Sequence, residues 1–215
     1  MGQFIYCYDA YCSWCYGFSP VIAKIHHRYK GKVPFEVLSG GMIRSTPPKP
    51  ISIIAEYNKD LFRKVEDNTG VRFGSDYLWH IFNPEDSDWF PDSLKPAVAM
   101  SIFKEEYPDQ QIEFAGELQY ALFGEGRDLC DNEAYRHLLE KYSIDAEKFF
   151  ERLKSTEFKD KAEYEFSVVQ HLQVTGYPAL FYQQSQSKFH LLAQGYTEFD
   201  VVNNRIENLF LSMQN

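Results

Sequence analysis

A chain of 215 residues with 44% hydrophobic and 25% charged side chains has the makeup of a globular protein able to bury a sizeable core, which excludes the disordered and fibrous classes. Its net charge of -9 argues against a nucleic-acid partner, because phosphate binding needs a basic face and the densest basic cluster is the short run His26 to Lys32. No apolar run approaches the roughly 18 to 20 residues of a membrane span, and the N-terminus lacks a signal-peptide pattern, so a cytoplasmic protein with no membrane partner is expected.

The opening run Gln3-Phe4-Ile5-Tyr6-Cys7-Tyr8 is apolar and aromatic, which predicts a buried strand ending at Asp9. Phe18, Val21, Ile22, Ile25 and Tyr29 recur at helical spacing and predict a helix from Cys12 to Tyr29, stopped by Gly31 and kinked near Pro20, where a backbone donor is missing. Residues 33–41 predict a second strand closed by Gly40 and Gly41, completing a parallel βαβ unit. After the proline-rich break at 44–50 the period changes. A helix from Ile51 stops at Gly70, and further helical segments follow at 77–82, 94–106, 112–123, 132–142 and 146–153, about 110 residues without a convincing strand.

A helix over 159–172 then leads to the strand at 174–184, a polar turn at Ser185-Gln186-Ser187, and the strand at 188–195. Phe199, Val202, Ile206, Leu209 and Phe210 form one apolar stripe and predict a terminal helix. The order βαβ, helical block, α, ββ, α places the helical block as an insertion.

Three of the four cysteines fall within the first fifteen residues, which is not the distribution of a disulfide framework. Cys12 and Cys15 form a Cys-x-x-Cys placed after a strand and at the first turn of a helix. Unpaired N–H groups and the positive end of the helix dipole favour a thiolate there. At its ordinary pKa of about 8.5 a cysteine is only roughly 3% thiolate at pH 7, so this placement matters. Cys12 is the candidate nucleophile, and Cys15, one turn further, is close enough to resolve a mixed disulfide on it.

Two other readings compete: inert half-buried thiols, or half of a zinc site. A structural zinc site needs four ligands, and no second Cys-x-x-Cys or spaced His pair exists, since His26 and His27 are adjacent. Redox chemistry is the preferred reading, with no metal. Cys7 belongs to the strand and is expected in the core, and Cys130 is read as an ordinary thiol of the helical block. Trp14, between the two thiols, is expected to contact a partner, and Phe18 to be core. Trp79, Phe82, Trp89 and Phe90 either pack together or line the opposite wall of a cleft, packing being the commoner outcome.

The strand, Cys12-Ser13-Trp14-Cys15, the proline eight residues after Cys12, the helical insertion, Gly176-Tyr177-Pro178 before a hairpin and the terminal helix together resemble the DsbA family of thioredoxin-fold proteins. The subgroup most resembled is the FrnE-like one, with an aspartate shortly before the cysteine motif and Gly-Gly after the second strand. The resemblance implies an α/β thioredoxin-like fold with a large helical insertion: residues 1–45 and 158–215 would form the thioredoxin-like domain and 46–157 the insertion. It also implies a protein disulfide oxidoreductase or isomerase with Cys12 as nucleophile and Cys15 as resolving thiol. Trp14, Tyr177 and Pro178 would bind substrate, the last two through a cis-proline loop beside the cysteines. Its partners would be protein or peptide thiols and disulfides. It would need no cofactor beyond its own redox disulfide, with glutathione a candidate reductant.

Two departures stand out. The first strand has no buried acid to help deprotonate Cys15, and Ser13-Trp14 replaces the Pro-His of strongly oxidising members, which implies a less oxidising couple. Two alternatives follow: a glutathione-dependent isomerase or transferase acting on a small molecule, as in kappa-class transferases and 2-hydroxychromene-2-carboxylate isomerases, or a non-enzymatic zinc-binding module.

Overall fold

The computed structural model describes residues 2–214. The N-terminal unit is β1 (Gln3–Tyr8), α1 (Ser13–Tyr29) and β2 (Phe35–Ser39). Six α-helices follow: α2 (Ser52–Thr69), α3 (Ser75–Phe82), α4 (Leu94–Glu106), α5 (Gln111–Phe123), α6 (Glu133–Lys141) and α7 (Ala146–Leu153). Then come α8 (Thr156–His171), the hairpin β3 (Ala179–Ser185) and β4 (Lys188–Gln194), and α9 (Phe199–Gln214). The thioredoxin-like order read from the sequence is therefore present. Most boundaries agree within two residues; the larger differences are that α8 starts three residues earlier than expected, and that residues 174–178, expected in a strand, form the loop that enters β3.

The four strands run in the order β2-β1-β3-β4, with β1 parallel to β2 and antiparallel to β3. Alternation along β1 sends Phe4, Tyr6 and Tyr8 into the main core with α1, while Ile5 and Cys7 join Leu38, Ala179, Phe181 and Val169 of α8 on the other face. The main core runs without interruption from the sheet into helices α2 to α7. Pro20 lies inside α1 on its exposed side and does not end the helix.

The outer edge of β2 is closed by side chains from the helices. Gln111 Oε1 accepts from Val37 N at 2.9 Å, Glu165 Oε2 accepts from Ser39 N at 2.9 Å, and Lys104 Nζ donates to the Val37 carbonyl. Lys104 also pairs with Glu36 and Glu165 at 2.8 and 2.7 Å. An edge strand would otherwise expose a row of unpaired amides.

Candidate active site

Helix α1 begins at Ser13, so Cys12 is its N-cap, with extended backbone angles of φ -86° and ψ 107°. Where a serine or aspartate would place an oxygen, Cys12 places its sulfur: Sγ accepts from the backbone N–H of Cys15 at 3.1 Å. The first turn of α1 carries no acidic side chain, so nothing on it opposes negative charge at Cys12, and His26, His27 and Arg28 in the last turn lie at the negative end of the helix dipole.

The two thiols differ in burial. Cys15 is 0% exposed and lies beneath Cys12, which is 5% exposed at the mouth of a groove. Burial, followed by its hydrogen bond to Cys12, pushes the Cys15 thiol well above its ordinary pKa, against the pull of the Asp9 N–H. Both side chains are free thiols, so the structure represents the reduced state.

Asp9 holds the scaffold around the pair. Its Oδ1 accepts from Tyr11 N (3.0 Å) and Ser93 Oγ (2.9 Å), and its Oδ2 accepts from Met42 N (2.7 Å). The end of β1, the loop after β2 and the start of α4 thus meet on one buried carboxyl. Burial raises its pKa from the ordinary carboxylate value, and these donors work in the opposite direction. Gln119 of α5 donates to the carbonyls of Asp9 (3.2 Å) and Cys12 (3.5 Å), and Ser13 Oγ donates to Asn58 Oδ1 of α2 at 3.2 Å.

The Tyr177-Pro178 peptide is cis. Tyr177 donates its hydroxyl to the Gly40 carbonyl at 3.0 Å, and the Pro178 carbonyl accepts from Gly195 N at 2.8 Å, which ties the loop to β2 and β4. Gly40 is required by this contact, and Gly41 by a separate one. A Cβ on Gly40 would lie 2.3 Å from the Tyr177 ring, and Gly41, at φ +66°, would place one 2.8 Å from Phe166.

A groove of about 490 Å³ opens beside Cys12. Trp14 and the loop residues Thr175, Gly176 and Tyr177 form one side, and Ile53, Ile54, Tyr57 and Leu61 of α2 form the other. No Asp, Glu, Lys, Arg or His is among its lining residues. Ile53 and Tyr57, one helical turn apart, are 54% and 69% exposed, an uncovered apolar pair in the same groove as Cys12 and Trp14.

A sequence profile of the DsbA-like thioredoxin domain matches residues 5–207. The chain belongs to the DsbA-like thioredoxin family. Among solved structures, this DsbA-like chain is similar to a putative protein disulfide isomerase from Nitrosomonas europaea (20% identity, TM-score 0.81, 98% of each chain covered). It is also similar to DsbM, a cytosolic disulfide reductase from Pseudomonas aeruginosa (22% identity, TM-score 0.75, 99% of this chain and 98% of that one). A 2-hydroxychromene-2-carboxylate isomerase shares the fold at 13% identity and a TM-score of 0.62, with 99% of this chain and 94% of that one covered. No curated protein sequence matches the chain.

Within this DsbA-like fold, Cys12, Trp14 and Tyr177 line one groove, with Cys15 beneath it and Pro178 at the entry to β3. Phe18 is fully buried, as expected of a core residue. Cys7 is enclosed between the sheet and α8, where burial pushes its thiol up to about 12. Cys130 lies 3.4 Å from the hydroxyl of Tyr11, a residue of the groove, but does not itself line it. Trp79, Phe82, Trp89 and Phe90 do not line the groove: Trp89 stacks on His80 at 3.9 Å, and the wall they were candidates for is supplied by α2. The signal in the sequence was Ile53 and Tyr57, which lie off the core stripe of α2 formed by Ala55, Asn58, Leu61, Phe62 and Val65. Among the described residues, no group of three or more His, Cys, Asp or Glu side chains is placed to hold a metal ion.

Proposed function

We propose that the chain is a thiol–disulfide oxidoreductase that exchanges disulfides through Cys12 and Cys15. The observation that carries this reading is the Cys12 sulfur at the N-cap of α1, bonded to the Cys15 N–H and bordering an uncharged groove. The Cys12 thiolate attacks one sulfur of a substrate disulfide, a mixed disulfide forms, and the first substrate thiolate leaves and takes a proton from water. Cys15 then gives up its proton and attacks Cys12 Sγ. The Cys12–Cys15 disulfide forms and the second substrate thiol departs, so the substrate gains two electrons and the protein loses two. A thiol reductant reverses the sequence and restores the dithiol.

The substrates we assign are protein or peptide disulfides. An apolar groove without charged side chains suits an uncovered segment of polypeptide, with Trp14, Tyr57 and Tyr177 supplying apolar contact and the 175–177 backbone supplying polar groups. That a protein of similar fold is named a cytosolic disulfide reductase supports a cytosolic setting. The reading is tested by insulin reduction with a glutathione-based recycling system. Cys12→Ala abolishes turnover, and unchanged turnover in that variant overturns the reading.

A second reading, a glutathione-dependent isomerase of small molecules, is favoured by the shared fold with 2-hydroxychromene-2-carboxylate isomerase. Activity toward small electrophiles retained in Cys15→Ser, with no disulfide exchange in the parent, selects it.

A further inference from the structure

Most buried side chains of α5 are apolar, and two are amides: Gln111 at its start and Gln119 in its interior, the latter 1% exposed. A buried amide is tolerated when its donors and acceptor are met, and those of Gln119 are met at the redox motif. Its Nε2 donates to the carbonyls of Asp9 (3.2 Å) and Cys12 (3.5 Å), the first and last residues of a turn that Cys12 N closes on the Asp9 carbonyl at 3.1 Å. Its Oε1 accepts from Ser19 Oγ at 2.8 Å, and the same hydroxyl lies 3.1 Å from the Cys15 carbonyl. A flipped amide would aim its oxygen at two carbonyl oxygens, so the orientation of Gln119 follows from its partners. Gln119 and Ser19 thus hold the carbonyls of Asp9, Cys12 and Cys15: one ahead of the thiols, and one on each of them.

Bridging two cysteines requires their Cβ atoms about 3.5–4.5 Å apart, a separation set by the backbone that carries them. Cys12 is the N-cap of α1 and Cys15 lies in its first turn, so the way the Asp9–Cys12 turn enters the helix decides how the Cys12 sulfur meets that of Cys15. We propose that Gln119 is a positioning residue of the dithiol: by clamping the Asp9–Cys12 turn to the start of α1, it raises the effective concentration of the Cys15 sulfur at Cys12 and stabilises the Cys12–Cys15 disulfide against small thiols. Without the amide the turn has more conformers, and fewer of them align the two sulfurs.

This inference rests on the dithiol reading, and one experiment separates the two. The protein is equilibrated with glutathione buffers, in which the dithiol and one oxidised glutathione become the Cys12–Cys15 disulfide and two reduced glutathione molecules. Acid quenching, alkylation and mass spectrometry give the fraction in each state. Gln119→Leu shifts this equilibrium at least tenfold toward the dithiol, about 30 mV on the two-electron couple. Gln111→Leu is the matched control: it removes a buried amide of the same helix that pairs with Val37 N at 2.9 Å on β2, so it lowers the melting temperature and leaves the equilibrium within twofold of the parent. Ser19→Ala is the milder variant, shifts the equilibrium at least threefold in the direction of Gln119→Leu, and carries the test if Gln119→Leu does not fold. A shift below threefold in Gln119→Leu, no shift in Ser19→Ala, or equal shifts in Gln119→Leu and Gln111→Leu overturns the role of Gln119 and leaves the dithiol reading standing. A parent protein that forms no Cys12–Cys15 disulfide at any glutathione ratio overturns both.

Discussion

The backbone nitrogen of Cys15 lies 3.1 Å from the sulfur of Cys12, so Cys15 solvates the sulfur that the proposed mechanism makes the nucleophile. Under that proposal the same three-residue spacing would supply both this hydrogen bond and the disulfide.

Thiol labelling should follow this asymmetry. In the reduced protein at pH 7, iodoacetamide modifies Cys12 first, because burial pushes the thiols of Cys15, Cys7 and Cys130 upward and leaves each of them little thiolate. Peptide mass spectrometry over a time course checks the order. Modification of Cys7 or Cys15 before Cys12 contradicts it.

Cys7 makes stability sensitive to alkali. Its folded pKa, about 12, lies above the unfolded value, so the folded state binds the proton more tightly. The stability this confers is complete below the unfolded pKa and is lost as pH rises toward 12. Between pH 7 and pH 10 the parent should lose roughly 2 kcal/mol more than Cys7→Ala, the difference cancelling the shared contribution of the buried tyrosines. Urea titrations of both proteins at the two pH values measure it, and parallel losses contradict it.

Gly40→Ala should disturb the groove from outside it. The new Cβ would overlap the Tyr177 ring, which must then leave the Gly40 carbonyl. A cost of about 2 kcal/mol in stability is expected for such overpacking. Disulfide exchange should fall as well. Adding Tyr177→Ala recovers part of the stability and none of the activity, which thermal melts and insulin reduction distinguish from a simple loss of fold.

Asp9→Ala removes the carboxyl that Tyr11 N, Met42 N and Ser93 Oγ share, leaving these donors unpaired in the interior. The expected loss is about 3 kcal/mol, larger than for an exposed carboxylate, and equilibrium unfolding in urea reads it. A loss under 1 kcal/mol would show that other groups or water satisfy the same donors.

Much of the fold was legible because periodicity and turn residues are local. The apolar run of β1, the helical spacing from Phe18 to Tyr29, and the polar turn between β3 and β4 each identify an element without reference to the rest of the chain. The thiol pair was legible for the same reason. The groove was not, because its wall on α2 lies about forty residues from Cys12 and is placed by the packing of helices rather than by any local pattern. Gly40 and Gly41 read as a strand stop, while their tighter role against Tyr177 and Phe166 depends on residues more than a hundred positions later. Asp9 looked like a neighbour of the motif, and two of its three donors, Met42 N and Ser93 Oγ, come from segments that only tertiary structure assembles. The closure of the β2 edge by Gln111, Lys104 and Glu165 was equally invisible.

β1 sits between β2 and β3, and its pairing with β3 joins residues 3–7 to residues 179–183. During vectorial synthesis the thiols therefore leave the ribosome well over a hundred residues before the strand that completes their support and the loop that forms one side of their groove. A nascent chain carries both sulfurs but not the site around them. The groove is assembled only once the 175–177 loop and β3 have joined β1, so a chain that stops short of them has no enclosed site beside Cys12.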